Sequence, residues 1–264
     1  MTMARTSAVS VAAFIAVMLL FIYLPVMVLV VFSFQSGDLP VPPLDGPSLR
    51  WYGKALSNAR LVDSLLNSVA VGALSSAAAT ILGFLAAYGL FRHRPVTAGA
   101  VRALLMSPIT VSYLIVGLGL MIVFNVAGIG RSLTAVGIGH VVINLPICFA
   151  IIYSQFGDHL RNVDNAARDL GAGDFDTMAR VIAPVMLPSV IAAFCLSFTL
   201  SWDEFIISLL LSRFDVTLPV MIFELMRAGL TPEVNAAGTI ILFISIVTVV
   251  IAASMTILKP KRKT

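Results

Sequence analysis

The chain has 264 residues, 59% of them hydrophobic and only 11% charged, with a mean hydropathy of +1.01. Soluble domains run at about 45–50% apolar and about 25% charged residues, so this composition excludes a water-soluble globular fold and makes lipid the solvent. The net charge of +4 is carried by basic residues that flank apolar runs, which argues against a nucleic-acid partner.

Six uncharged runs in chain order predict an all-α membrane protein with six transmembrane helices. The first, 8–32, contains Pro25 as a kink position. It is too long for the apolar part of a signal peptide, and no small-residue cleavage site follows, so it is read as a retained span. A Pro- and Gly-rich polar stretch comes next, with Trp51 and Tyr52 as interfacial aromatic anchors. The second run, 64–91, carries Gly72, Ser75, Ala79, Gly83 and Ala87, small residues that let backbones approach, and is expected inside the protein. The third, 103–130, has Gly117 and Gly119 near its middle; the fourth, 132–157, holds His140 and Pro146. The fifth, 189–211, holds Asp203 and Glu204, and the last, 234–258, precedes a basic tail. Pro108, Pro146 and Pro188 read as kinks or span ends.

This divides the chain into a first span with an extracytoplasmic loop (1–62), a core of five helices (63–258) and a basic tail (259–264). Cys148 and Cys195 lie in apolar runs and read as buried thiols, and the three histidines show no metal-ligand spacing. Glu224 reads as a solvated loop carboxylate, and Glu233, after Pro232, as a carboxylate favoured by a helix N-terminus. Six spans put both termini on one side. Eleven basic residues (Arg5, Arg92, Arg94, Arg102, Arg161, Arg168, Arg180, Lys259, Lys261, Arg262 and Lys263) fall on the side of the termini and six on the other, so the positive-inside rule places both termini in the cytoplasm.

Between the fourth and fifth runs lies a polar stretch whose patterning exceeds what a connector needs. Leu160, Val163, Ala167 and Leu170 recur at spacings of three and four, predicting a short amphipathic helix over 158–170. Gly171 is a natural stop, and Asp174 is placed to cap a second helix containing Phe175, Met178 and Val181. Ala166 and Ala167 leave the first helix without bulk where a partner would approach. The spacing alone leaves two readings open: a helix lying in the membrane interface, or a docking element.

Asn165-Ala166-Ala167, then Gly171, then Val181-Ile182-Ala183-Pro184 resembles the cytoplasmic signature of type I ABC importer permeases: Glu-Ala-Ala, three residues, Gly, nine residues, Ile-x-Leu-Pro. Asn165 stands where that pattern has Glu, removing a possible ion pair with the ATPase for which Asp164 could partly substitute, and Ala183 stands in place of Leu. The segments SFTLSWDEF and TPEVNA are similar to the polyamine branch of the family. The resemblance implies the type I permease fold in a bacterial inner membrane, with Asn165, Ala166, Ala167, Gly171, Asp174 and Pro184 in a coupling helix and its flanks. It also implies a homologous second permease, two copies of an ABC ATPase, an extracytoplasmic substrate-binding protein and a polyamine (putrescine or spermidine) as cargo. The chain has no phosphate-cradling loop ending in Lys-Ser/Thr and no catalytic set, so no enzymatic activity and no cofactor are expected in it; ATP and Mg would be held by the ATPase. Carboxylates inside spans cost roughly 2.5–3.5 kcal/mol and normally face a pathway or a partner. Asp203 and Glu204, beside Trp202 and Phe205, would give a polycation charge and aromatic faces, with Asp203 preferred; the alternative is solvation or pairing with Arg213 at the span's end. On a helix the two carboxylates would point about 100° apart.

Overall fold

The computed structural model describes residues 2–257 except Arg94 and Leu230, with side chains over 11–250. The basic residues Arg94, Lys259, Lys261, Arg262 and Lys263, which enter the charge count above, lie outside the described residues. Helices form the chain: α1 (Thr2–Phe32), α2 (Arg50–Ser57), α3 (Ala59–His93), α4 (Ala98–Met106), α5 (Tyr113–Val126), α6 (Leu133–Tyr153), α7 (Asp158–Asp169), α8 (Asp174–Trp202), α9 (Ile206–Leu211), α10 (Leu218–Ala228) and α11 (Pro232–Ile257). Among the described residues the only β pairing is an isolated bridge between Gln35 and Pro47.

Five helices (α1, α3, α6, α8 and α11) are long and apolar enough to cross a bilayer. A sixth crossing exists if α4, its 3-10 extension Ser107–Thr110 and α5 count as one bent span. The third run, 103–130, is therefore not one continuous helix, and its break falls just after Pro108, a position read as a kink or span end. Val111 and Ser112 are extended (ψ 140° and 138°), and the axis turns by 107° there. Pro108, in the first turn of the 3-10 segment, brings no N–H to a longer helix.

The fifth span is corrected at both ends. It begins at Asp174 rather than 189, because a π-wound turn, Thr177–Ile182, runs directly into the helix. Pro184 follows directly on the π-wound turn, a local rewinding of the helix at the position where the proline brings no N–H, and Pro188 is helix interior rather than an end. The helix stops at Trp202, and α9 is a separate segment. Asp203 and Glu204 thus lie in a break and not on a helix.

The chain forms two compact units. The first joins Met1–Val62 to Ile222–Phe243. In it Gln35 is buried in the loop after α1, where its amide oxygen accepts from the Asp45 N–H (3.0 Å) and its amide N–H donates to the Pro43 carbonyl (3.2 Å). Trp51 is buried too, donating its indole N–H to the Gly37 carbonyl (3.1 Å) with Lys54 4.9 Å from its ring centre, so it ties the loop together rather than anchoring in lipid. Glu233 is buried and paired with Lys54 (3.3 Å) and Asn58 (3.1 Å), and Glu224 with Arg60 (3.4 Å), so both have side-chain partners beyond water and the helix dipole.

The second unit joins Asp63–Met221 to Ile244–Thr264 and contains the elements that carry the candidate site. One apolar cluster packs α3 (Ala79, Ala87, Phe91) against α6 (Phe149, Ile152), α7 (Leu160) and α8 (Ile182, Met186). A second gathers Val71, Phe124, Val136 and Ile143 around Ile207 and Leu211 of α9. The small-residue helix α3 is thus packed inside, as its composition predicts. α9 seats on two glycines: a Cβ on Gly139 would stand 2.6 Å from Ile207, and one on Gly117 2.7 Å from Leu210. Gly119, by contrast, faces outward. Cys148 and Cys195 are buried free thiols.

Candidate functional site

Two places in the second unit combine buried charge with irregular backbone. The first is the α7–α8 hairpin. α7 ends because Gly171 takes φ +86°, a conformation that glycine adopts at no steric cost, while the N–H groups of Gly171 and Ala172 close the last turn onto the carbonyls of Arg168 (2.8 Å) and Ala167 (3.0 Å). α7 turns Leu160 and Val163 onto the core cluster. Asp164, only 2% exposed, accepts a hydrogen bond from the Tyr88 hydroxyl (3.1 Å) and lies near the guanidinium groups of Arg92 (3.6 Å) and Arg168 (3.4 Å). Arg168 also pairs with Asp174 across the turn. Desolvation opposes the charged form of Arg168, but its bonds to Asp174 and Tyr88 and the nearby Asp164 outweigh that and hold it above the usual arginine range. One carboxylate therefore fastens α7 to the end of α3, and one arginine fastens the turn to α7.

What remains outward is the tip. Asn165, Ala166, Gly171 and Asp174 are exposed, Ala167 is half-buried, and Pro184 faces out at the base. Two large apolar side chains, Leu170 (89% exposed) and Phe175 (73%), stand out on this otherwise polar hairpin. Three expectations are corrected here. Leu170 leaves the apolar face, because the αL turn that follows carries it past the end of that face. Asp164 does not substitute at the surface for the missing acid, because both its oxygens are committed inside. Asp174 opens α8 rather than capping it, since Gly173 holds the cap position and the Asp174 carboxylate turns back to Arg168.

The second place is the break after Trp202. Glu204 is 5% exposed and bends onto the start of α9, where one oxygen accepts from the Ile207 N–H (3.0 Å) and the other from the Ser208 N–H (3.1 Å). That satisfies two of the orphan donors every helix start presents. The same carboxylate lies 3.4 Å from Nε2 of His140, a fully buried residue of α6. His140 also meets the Ser208 hydroxyl at Nε2 (3.0 Å) and the Ser201 hydroxyl at Nδ1 (2.6 Å), and Ser201 reaches Ser75 of α3 (3.1 Å). Asn144 adds a bond to the Ser197 carbonyl (3.4 Å). Four helices are thus joined by polar contacts in an apolar surround, where such contacts have little competition from water.

The four residues singled out around the break take different positions. Asp203 is exposed at the end of α8, and Arg213 is not its ion-pair partner among the described residues, lying instead over the Phe214 ring. Trp202 is buried and stacked on Phe198 at 6.0 Å, and Phe205 is half-buried. His140, Ser201 and Ser208 are absent from the sequence-derived set, as are Tyr88, Arg92 and Arg161. A histidine inside an apolar span is a signal for His140; its partners lie 61 to 68 residues away and have no local signature.

Residues 79–264 match the family described as "Binding-protein-dependent transport system inner membrane component". The chain is 30% identical over 249 residues to the spermidine/putrescine transport system permease protein PotC of Escherichia coli (strain K12), covering 92% of this chain and 91% of that one. It is 32% identical over 230 residues to the putrescine transport system permease protein PotI of the same strain, covering 84% and 82%. Among solved structures it resembles a chain of a bacterial alginate ABC transporter in complex with an alginate pentasaccharide-bound periplasmic protein (TM-score 0.73, 15% identity, 96% of this chain and 94% of that one), a likeness of fold.

Proposed function

The chain belongs to the binding-protein-dependent transport system inner membrane component family, and from that membership we propose that it is the permease subunit of an ATP-driven importer whose cargo is a polyamine. It is a multi-pass inner-membrane transport subunit. The polyamine assignment rests on its similarity to PotC and PotI over most of its length.

In this reading the chain pairs with a homologous second permease, and an extracytoplasmic binding protein delivers the polyamine. Of the two copies of an ABC ATPase in the assembly, one docks on the α7–α8 tip of this chain through Asn165, Ala166, Ala167, Gly171 and Asp174, with Pro184 at its base, and the other docks on the second permease. The termini and the hairpin face the cytoplasm, as the distribution of basic residues supports. One observation carries the mechanism. α8 runs without interruption from the docking tip at Asp174 to the break at Asp203, about 40 Å at 1.5 Å per residue. Movement of the tip on ATP binding is transmitted along that helix to the pathway. There Asp203 offers an exposed carboxylate to an ammonium group, and Trp202 and Phe205 shape the adjacent wall. Glu204 acts on the pathway indirectly, by holding the break open at the start of α9.

The test is uptake of radiolabelled putrescine and spermidine into proteoliposomes holding the permease pair, the ATPase and the binding protein. Uptake requires ATP, and Asp203→Asn lowers it at least tenfold with ATP hydrolysis retained. Unchanged uptake in that variant removes Asp203 from the pathway. Solute flux through this chain alone without ATP would mark a stand-alone transporter instead. Uptake of a different small solute in preference to both polyamines would keep the importer and replace the cargo.

A further inference from the structure

Beside the α7 helix, Phe91 and Arg92 of α3 and Arg161, Asp164 and Asn165 of α7 line a cavity of about 230 Å³. Its charges are unevenly satisfied. Asp164 is fully engaged by Tyr88, Arg92 and Arg168. Arg161 is half-buried with its guanidinium 5.2 Å from the Phe91 ring centre, its Nε is buried without a hydrogen-bond partner, and among the described residues it has no carboxylate within ion-pair distance. Asp158, one turn earlier on the same helix, is exposed and makes no ion pair with it. The cavity therefore holds two guanidinium groups against one carboxylate already in use, with a neutral Asn165 exposed at its mouth.

We propose that this cavity is a socket for an acidic side chain of the ATPase subunit, clamped by Arg161 and Arg92, so that the charge at this docking point is reversed from the acid-bearing pattern that Asn165 departs from. The proposal rests on the subunit reading above and adds the sign of the contact. A permease with Glu at position 165 presents a negative mouth suited to a basic partner residue. Here the acid is missing at the mouth, and the nearest uncompensated group is a cation set back on an aromatic face. A basic partner side chain would be repelled by Arg161; a carboxylate would find a partly desolvated guanidinium with donors to spare, the arrangement in which charge-assisted bonds are strong. The cavity is lined by Asn165, which is exposed with Ala166 on the face that docks the ATPase in the reading above, and this continuity places the incoming carboxylate on that subunit.

The test uses the assembled transporter purified in detergent and measures retention of its ATPase as ionic strength is raised. Arg161→Ala is expected to weaken retention about tenfold and to flatten its salt dependence, and Arg161→Lys to restore part of both. Asn165→Glu decides the sign. Its side chain is exposed, so folding is spared; a carboxylate at the mouth should weaken retention if the incoming residue is acidic and strengthen it if that residue is basic. Tighter binding by Asn165→Glu overturns the proposal. Retention indifferent to both substitutions, with ATPase activity that instead follows the anionic-lipid content of added vesicles, assigns the socket to a lipid headgroup and also overturns it. A wild-type complex that holds no ATPase at any ionic strength removes the subunit reading and the socket together, an outcome distinct from either.

Discussion

Asp164, in the middle of α7, and Glu204, just before α9, are both buried carboxylates, yet they are held by different chemistry. Asp164 sits among fixed positive charges, Arg92 and Arg168, with a phenol completing its shell. Glu204 has no guanidinium; two backbone N–H groups, an imidazole and a hydroxyl surround it. The first arrangement joins elements that already have regular ends and leaves an exposed tip beyond it. The second replaces hydrogen bonds that a helix break removes. A clasp of side-chain charges can loosen without unwinding a helix, whereas a carboxylate serving as a helix cap is part of the backbone's own hydrogen bonding. The hairpin is therefore the place for a moving contact, and the break the place for a fixed one.

Removing each carboxylate separates the two cases, and the break should respond more. Glu204→Ala leaves the Ile207 and Ser208 N–H groups buried without acceptors, at about 1–3 kcal/mol each, and opens a void beside His140. We expect a large fall in the melting temperature of the purified subunit pair and loss of uptake together. Glu204→Gln keeps one acceptor oxygen and should recover most of the stability. If Glu204→Ala melts like the wild type, the cap is not holding α9.

Asp164→Asn comes next. It keeps the size of the side chain but leaves Arg92 and Arg168 without their shared counter-charge, and breaking a buried pair by removing one partner costs about 3–5 kcal/mol, less where the partners reach water as these do. The expected signature is local: faster proteolysis within 158–173 and weaker coupling of ATP hydrolysis to uptake, with the melting temperature of the membrane core little changed. A global loss of stability equal to that of Glu204→Ala would erase the distinction between a clasp and a cap.

The parts of this architecture that were legible beforehand are those written in local pattern. The spacing of Leu160, Val163 and Ala167 and the stop at Gly171 place α7 within a residue of its observed ends, because a short amphipathic helix is specified by its own neighbours. The break at 202–206 was hidden, because SFTLSWDEFIISLLL is apolar enough to continue as a helix; what diverts it is Glu204 reaching His140, a contact set by the packing of α6 on α8. The bend at 110–113 was legible in part: Pro108 reads as a kink or span end and stands in the 3-10 turn just before it, but neither the proline nor hydropathy reports a turn as large as 107°. Trp51 shows the converse error. An aromatic near a span reads as a lipid anchor, while its indole N–H is satisfied by the Gly37 carbonyl within a folded loop. Of the candidate residues, those at the hairpin tip were legible from a linear motif. The residues that hold the hairpin and the break, Tyr88 with Asp164 and His140 with Ser201, lie 76 and 61 residues apart and become partners only in three dimensions.

The smallest expected effect tests the backbone of the hairpin alone. Gly171 takes φ +86° at the end of α7 with open space around the position a Cβ would occupy, so Gly171→Ala introduces no clash with another element and only the conformational penalty of a left-handed residue, about 1–2 kcal/mol. Because the clasp at Asp164 lies upstream of the turn, α7 should stay docked on α3 while the Arg168–Asp174 contact across the turn weakens. Hydrogen exchange measured on the intact transporter would then rise at the Gly171 and Ala172 amides, whose bonds close the last turn, and stay unchanged at residues 160–165. Exchange rising equally along the whole of α7 would mean that the turn, and not Asp164, holds this helix in place, and the division of labour between clasp and tip would have to be redrawn.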